Sequence, residues 1–341
     1  MKDLIVLGIE TSCDETSAAV VLNNRRVLSN VTASQINLHK AYGGVVPELA
    51  SRKHIEALAY IITEALERGG AGLPDITVVG VTVGPGLAGA LLVGLSYAKA
   101  LAFSVDKPLV GVHHIEGHIC ANYLESNFEP PFICLVVSGG HTNIVNVRDY
   151  GEYKVLGSTK DDAAGEAYDK VARALGLSYP GGPALDQAAR GVDPEGLEFP
   201  RALVQEGNFD FSFSGLKSAV LNHINRLGML RQKVDIPKTA AAFQRAAVDV
   251  LVMKTMAACE AFNIKKAAIA GGVACNEGLR MEMAKACEKR GFVLHIPPPE
   301  LCLDNGAMIA SRAGYRYLEG YRDGWDLNTD PGLSLGKEWK A

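Results

Sequence analysis

Three of the chain's eight histidines fall within six positions, in the stretch HHIEGH at residues 113–118. His114 and His118 are four apart, so on a helix their rings share one face, one turn from each other. Two neutral imidazoles so placed can hold one metal ion. A metalloprotease of the HExxH type needs its glutamate directly after the first histidine. Here the glutamate is Glu116, two positions after His114. At about 100° per residue it turns nearly away from the ligand face. His113 stands off the pair and is read as orienting it or packing. A two-histidine site normally takes a carboxylate as third ligand. The chain has 38 acidic residues, and sequence does not choose among them. Asp304 is one candidate, in a DNG turn after a proline-rich loop at the start of a helix; a plain N-cap aspartate is the alternative.

Two further stretches could hold a ligand. ETSCDETS, at residues 10–17, offers hydroxyls, backbone N–H groups and the carboxylates Asp14 and Glu15. SGGHT, at 138–142, is a turn where glycine lets a ligand approach backbone N–H groups closely. Two such turns facing each other across a cleft would make a phosphate clamp. Gly271-Gly272, between a strand and a helix, fits close approach of a nucleotide or tight strand–helix packing. No Walker motif is present, nor a GxGxxG after a strand, so a nucleotide site here is neither of the P-loop nor of the Rossmann type.

The elements that must position these residues alternate. Residues 3–30 read as strand, polar turn, strand, and residues 132–147 repeat the pattern. The repetition suggests two related halves. Residues 48–68 place Ile55, Leu58, Ile62 and Leu66 at helical spacing, ended by Gly69-Gly70. A strand at 76–83, a helix at 87–103 and a strand at 109–112 follow. Two helices joined by a turn at Pro180-Gly181-Gly182-Pro183 lie in 161–191, and an Ala-rich helix covers 239–262. Then come strand, Gly-Gly turn and helix from 265, a strand at 291–296 and a helix over 304–319. Alternating strands and helices predict an α/β fold. No flexible linker is visible, which predicts halves sharing a tight cleft.

At 341 residues, 48% hydrophobic and 21% charged, with mean hydropathy just above zero, the chain reads as a compact enzyme rather than a disordered one. Net charge −4 gives no global attraction to nucleic acid, so any such contact must use local patches. Arg25/Arg26, Arg52/Lys53 and Arg226, Arg231, Lys233 are the candidates. Seven scattered cysteines without a CxxC pair indicate neither a disulfide framework nor a thiolate zinc site. The uncharged run 76–98 is long enough to span a bilayer, but Gly84-Pro85-Gly86 divides it into a strand half and a helix half. No signal peptide is read at the N-terminus, and the expected location is the cytoplasm.

GIETSCDETS, GPGLAGALLVG, HHIEGH, VSGGHT, DDAAGEAYDKVAR, YPGGP, FSFSGLKSAV, GGVACNEGLR and DNGAMIA stand in one order over nearly the whole chain. In that order the chain resembles the bacterial tRNA adenosine threonylcarbamoyltransferases, formerly described as glycoprotein endopeptidases. They are relatives of actin, sugar kinases and heat-shock chaperone ATPases. The resemblance implies two ribonuclease-H-like halves enclosing a cleft, expected as 1–108 with about 307–330, and 109–306 carrying the metal and most of the nucleotide site. It implies transfer of threonylcarbamoyl from its adenylate to N6 of the adenosine 3′ of the anticodon, in tRNAs reading codons that begin with A. By motif, His114, His118 and Asp304 would hold iron or zinc, and Val137, Ser138, Gly139, Gly140 and His141 would contact substrate. Asp169, Gly182, Asp186 and Asn276 would bind the adenosine part, of the adenylate or of ATP. Asp14 or Glu15 would take up the amine proton or position the base. The implied partners are tRNA, a shorter paralogous subunit and a small P-loop ATPase. The competing readings are a metal-dependent protease, which Glu116 disfavours, an ATP-dependent small-molecule kinase, which needs no histidine pair, and a non-catalytic nucleotide-binding scaffold.

Overall fold

The computed structural model describes residues 3–336. In chain order it opens with β1 (Ile5–Glu10), β2 (Glu15–Leu22), β3 (Arg26–Ser34), α1 (Ile36–Lys40), α2 (Pro47–Gly69), β4 (Val78–Gly84), α3 (Ala88–Ser104), β5 (Leu109–His113) and α4 (His114–Cys120). It continues with β6 (Phe132–Val137), β7 (Thr142–Asp149), β8 (Glu152–Ser158), α5 (Ala164–Ala174), α6 (Gly181–Ala189), α7 (Ser214–Met229), α8 (Ile236–Ala261), β9 (Lys266–Ala270), α9 (Glu277–Arg290) and β10 (Val293–His295). It closes with α10 (Pro299–Cys302) and α11 (Gly306–Leu318).

Two five-stranded sheets form, ordered β3-β2-β1-β4-β5 and β10-β9-β6-β7-β8. Reading the second backwards gives the same plan: a strand (β1 or β6), its antiparallel meander on one side, and two later parallel strands on the other. The repeated pattern expected from sequence is therefore present, with a third strand in each meander that the sequence reading did not separate. No helix among the described residues is long and apolar enough to cross a membrane; the run 76–98 divides into β4 and α3.

Contacts divide the chain into two compact units. One reaches to Pro130 and takes up Asp149–Tyr153 and the segment from Glu300; the other holds Pro131–Arg148 and Lys154–Pro299. The boundary expected at 108 is displaced. β5 pairs in parallel with β4, Val79 opposite Leu109 and Thr82 opposite Val112, so the HHIEGH segment that follows it belongs to the first unit. Asp304 lies there too.

The first sheet is buried on both faces, and the pleat sorts its side chains. Leu7, Ile9, Val79 and Val81 pack with Leu58 and Ile62 of α2 and Leu95 of α3. Val6, Val78, Val110 and Val112 pack with Met308, Ile309 and Ala313 of α11. Ile55, expected with Leu58 and Ile62 on the apolar face, is instead 67% exposed. The α11 contact is backbone-close. A Cβ on Gly8 would lie 2.2 Å from the Gly306 carbonyl oxygen and 2.4 Å from the Ala310 nitrogen. Gly8→Ala is expected to destabilise the protein by about 1–3 kcal/mol, the scale of overpacking, measured by denaturant unfolding.

Candidate metal centre and the motif residues

The carboxyl ends of β1, β4 and β5 lie together, because β1 and β5 both run parallel to β4. In open α/β sheets that end is where ligands bind. Glu10 and Thr82 continue the registers Val6-Gly8 and Val78-Gly80 onto the α11 face of the sheet, and His114, the first residue of α4, meets Glu10 there.

The chain turns from β5 directly into α4. His113 is the N-cap, its Nδ1 accepting from the Ile115 N–H at 3.1 Å, so the orienting role read for it is performed through the helix start. One turn along, the His114 and His118 rings meet edge to face with centroids 4.7 Å apart. Asp304 Oδ1 is 3.5 Å from His114 Nε2 and 3.1 Å from His118 Nε2. Potential ligand atoms of the three residues all lie within 4.8 Å of one another. His118 is wholly buried, yet neither of its ring nitrogens makes a hydrogen bond. A buried polar atom left so in a native fold calls for a partner such as an ion, and two imidazoles with a carboxylate are a donor set for iron or zinc. The residues present fit a metal ion.

Asp304 is not the N-cap that was its alternative reading. Asn305 caps α11, accepting from the Met308 N–H at 3.0 Å. Glu116 does point away from the pair: its Oε2 accepts from Arg312 Nε at 2.6 Å inside the protein. Behind His114 lies Glu10, on which the apolar run LIVLGI ends; the sequence reading assigned it no role. Its Oε2 lies 3.1 Å from His114 Nδ1. Asp14 and Glu15 sit in the β1–β2 turn and at the start of β2, Asp14 buried. Burial first, then the charges of Asp304 and Asp14, push the Glu15 carboxyl up to about 9.

In the second unit the corresponding turn after β6 is closed by Ser138 N–H donating to the His141 carbonyl at 2.8 Å, with His141 N–H donating to Ser138 Oγ. Gly139 and Gly140 are exposed, with open space where a Cβ would stand. Gly271, at φ +90°, packs on Val137: a Cβ there would lie 2.5 Å from the Val137 carbonyl oxygen. That supports the packing reading of this glycine. Asp169 Oδ1 accepts from the N–H groups of Gly181 and Gly182 at 2.8 and 3.2 Å, which draws these glycines into the first turn of α6 rather than a free turn. Asp186 Oδ2 accepts from the Glu277 N–H at 3.2 Å. Neighbouring Asn276 caps α9 and donates to Gln244. Asp186 and Asn276 are thus brought together, while Asp169 and Gly182 meet at the start of α6. Of the candidate basic residues, Arg25 is spent on Tyr150 and on the carbonyls of Ser126 and Phe128.

Residues 26–311 match the profile of the family described as TsaD, tRNA N6-adenosine threonylcarbamoyltransferase. The chain belongs to the TsaD family. A protein of that name from Clostridium botulinum (strain 657 / Type Ba4) is 56% identical over 339 residues, 99% of this chain and 100% of the relative. One from Clostridium perfringens (strain SM101 / Type A) is 53% identical over 338 residues, with the same coverage. Full-length HypF, in a phosphate- and nucleotide-bound form, superposes with TM-score 0.62 at 14% identity, over 93% of this chain and 46% of that one. Component A of (R)-2-hydroxyglutaryl-CoA dehydratase from Acidaminococcus fermentans gives 0.54 at 13% identity, over 92% and 99%. These likenesses concern the fold, which is that of the actin-like ATPases.

For a TsaD-family metal centre the charge state of His114 matters. Burial pushes its imidazolium down, but the carboxylates of Asp304 and Glu10 outweigh it and hold the ring up at about 9. Near pH 7 a binding metal must then expel a proton. Affinity for Zn²⁺ is expected to rise about tenfold per pH unit up to about pH 9 and then level off. Calorimetric titration in buffers of different ionisation enthalpy counts the proton released.

Proposed function

We propose that this TsaD-family chain transfers threonylcarbamoyl from threonylcarbamoyl-adenylate to N6 of the adenosine 3′ of the anticodon, in tRNAs reading codons that begin with A. The observation that carries the reading is the cluster of buried His114 and His118 with half-buried Asp304, in a chain 56% identical to a protein of that name. His114, His118 and Asp304 would hold iron or zinc, which when bound supplies a Lewis acid for the threonylcarbamoyl carbonyl. An exocyclic adenine amine is a weak nucleophile. In the reaction its nitrogen forms a bond to the carbamoyl carbon, the anhydride C–O bond breaks, AMP leaves and the amine gives up a proton.

Asp14 and Glu15 are proposed to take up that proton or to position the base. Of the two, Asp14 is proposed as the proton acceptor and Glu15 as the group that positions the base. Asp14→Asn is therefore expected to slow transfer by about 100-fold or more, from the lower end of the general-base range upward, and Glu15→Gln by much less. The N–H groups of the open Gly139-Gly140 turn would take the phosphate, and Asp186 and Asn276 the adenosine, with Asp169 shaping the Gly181-Gly182 backbone beside them. A net charge of −4 suits tRNA binding shared with partners, for which a shorter paralogous subunit and a small P-loop ATPase are proposed, in the cytoplasm.

The test is transfer of labelled threonylcarbamoyl from its adenylate to unmodified tRNA with the partners present, before and after metal is stripped and restored. Transfer that disappears and returns supports the reading. Metal-dependent peptide cleavage without transfer would replace it with the protease.

A further inference from the structure

We propose that Glu10 is the positioning residue of the metal centre, fixing His114 in the tautomer whose Nε2 lone pair can bind the ion. The inference rests on the metal reading above and adds a residue that no ligand count includes.

Glu10 ends β1 and is completely buried. A carboxylate is rarely placed there unless it is paired, and its ion-pair partner among the described residues is His114. Two donors from the scaffold fix its position. Oε1 accepts from the Ser12 N–H, and Oε2 accepts from Thr82 Oγ at 2.6 Å. The remaining capacity of Oε2 is directed at His114 Nδ1, 3.1 Å away. An ionised carboxylate can only accept, so Nδ1 keeps its hydrogen toward Glu10, and Nε2 is the nitrogen that gives up its proton when an ion binds. Nε2 is the nitrogen facing Asp304. The Ser12 hydroxyl, 3.2 Å from the same Nδ1, can donate or accept and decides nothing. Metal-ligating histidines are commonly oriented by such a carboxylate, and losing it weakens binding by about 10–100-fold. His118 has no such orienter, since its Nδ1 makes no hydrogen bond. The directional control of the centre therefore rests on the His114 side.

The geometry makes glutamine an incisive replacement. The Ser12 N–H is a donor only, so an amide at position 10 must turn its oxygen toward Ser12 and its NH₂ toward Thr82 and His114. Thr82 can accept as readily as donate. His114 Nδ1 would then accept, and its hydrogen would move to Nε2, where the metal belongs. Side-chain volume and burial barely change.

Zn²⁺ affinity is measured by competition with a chromophoric chelator for the full-length wild type, Glu10→Gln and Glu10→Ala. The His114 tautomer in the metal-free proteins is read from ¹⁵N chemical shifts above about pH 9, where the ring is neutral. Glu10→Gln is expected to retain the fold, show Nε2–H at His114 and bind Zn²⁺ about 10–100-fold more weakly. Wild-type affinity in a folded Glu10→Gln, or an unchanged tautomer, would overturn the positioning role while leaving the metal reading intact. A wild type that binds no Zn²⁺ overturns both. Glu10→Ala leaves the Ser12 and Thr82 donors without their acceptor and is the variant more prone to misfold, so the glutamine carries the decision.

Discussion

His118→Ala is expected to release the metal and to cut threonylcarbamoyl transfer by roughly two to three orders of magnitude, the scale on which losing one electrostatic stabiliser slows acyl transfer. This variant separates chemistry from stability because of how the imidazole is held. The ring is wholly buried and makes no hydrogen bond through either nitrogen; truncation removes its 3.1 Å contact with Asp304 Oδ1 but leaves that oxygen beside His114 Nε2. The fold loses packing around one ring, while the proposed centre drops from three candidate ligands to two. His114→Ala is a harsher change, since it also strips Glu10 of its charged partner. Metal content by elemental analysis, transfer to unmodified tRNA and the unfolding midpoint form the measurement. A folded His118→Ala that transfers at the wild-type rate would make the HHIEGH pair a structural feature.

How far the site could be read in sequence depended on whether its geometry is local. The i, i+4 spacing of His114 and His118 needs only a helix, and α4 supplies it. The register of Glu116 is equally local, and the side chain points away from the pair as the spacing requires. Asp304 is a ligand candidate from 186 positions beyond His118, and only the packing of α11 on the sheet brings it there. Local signals placed it at the helix cap, a position that Asn305 holds. Glu10 was invisible for the same reason. A glutamate closing an apolar strand looks like the strand's exit to solvent, and its burial follows from β2 and β4 running on either side of it.

The fold divides similarly. α2 was legible in its periodicity and its Gly69-Gly70 end, since Gly70 adopts the left-handed conformation at φ +62°. β3 escaped because one of its two buried positions is the polar Ser29, so hydropathy does not mark the alternation that burial follows. α7 escaped because Leu216 and Val220 are its buried positions and leave little amphipathic stripe. The domain boundary was misplaced because strand order is a property of the sheet, and nothing in LVGV states that it pairs with β4.

Arg312→Ala should give the largest loss of stability among single substitutions near the centre, about 3–5 kcal/mol, the scale for stranding one partner of a buried ion pair. Arg312 lies on α11 with 3% of its side chain exposed, and Glu116 on α4 with 9%. Nε donates to Glu116 Oε2 at 2.6 Å, and Nη1 donates to Glu319 Oε1 at 3.1 Å. Removing the guanidinium leaves Glu116 charged in the interior, and the unfolding midpoint should fall by about 10 °C at the usual 2–4 °C per kcal/mol. The double variant Glu116→Leu/Arg312→Met should recover most of that loss, because apolar side chains of similar volume often replace a buried pair at little cost. A fall in the double variant as large as in Arg312→Ala would mean that packing on α11, not charge, holds the helices together. Glu116→Gln completes the argument. Its amide oxygen still accepts from Arg312, and Arg312 keeps Glu319, so the protein should stay folded, bind metal and transfer threonylcarbamoyl near the wild-type rate. A protease that used the glutamate of HHIEGH as its base would lose its cleavage activity with the same substitution. The glutamate that invites the protease comparison is thus the residue whose neutral replacement tells the two activities apart.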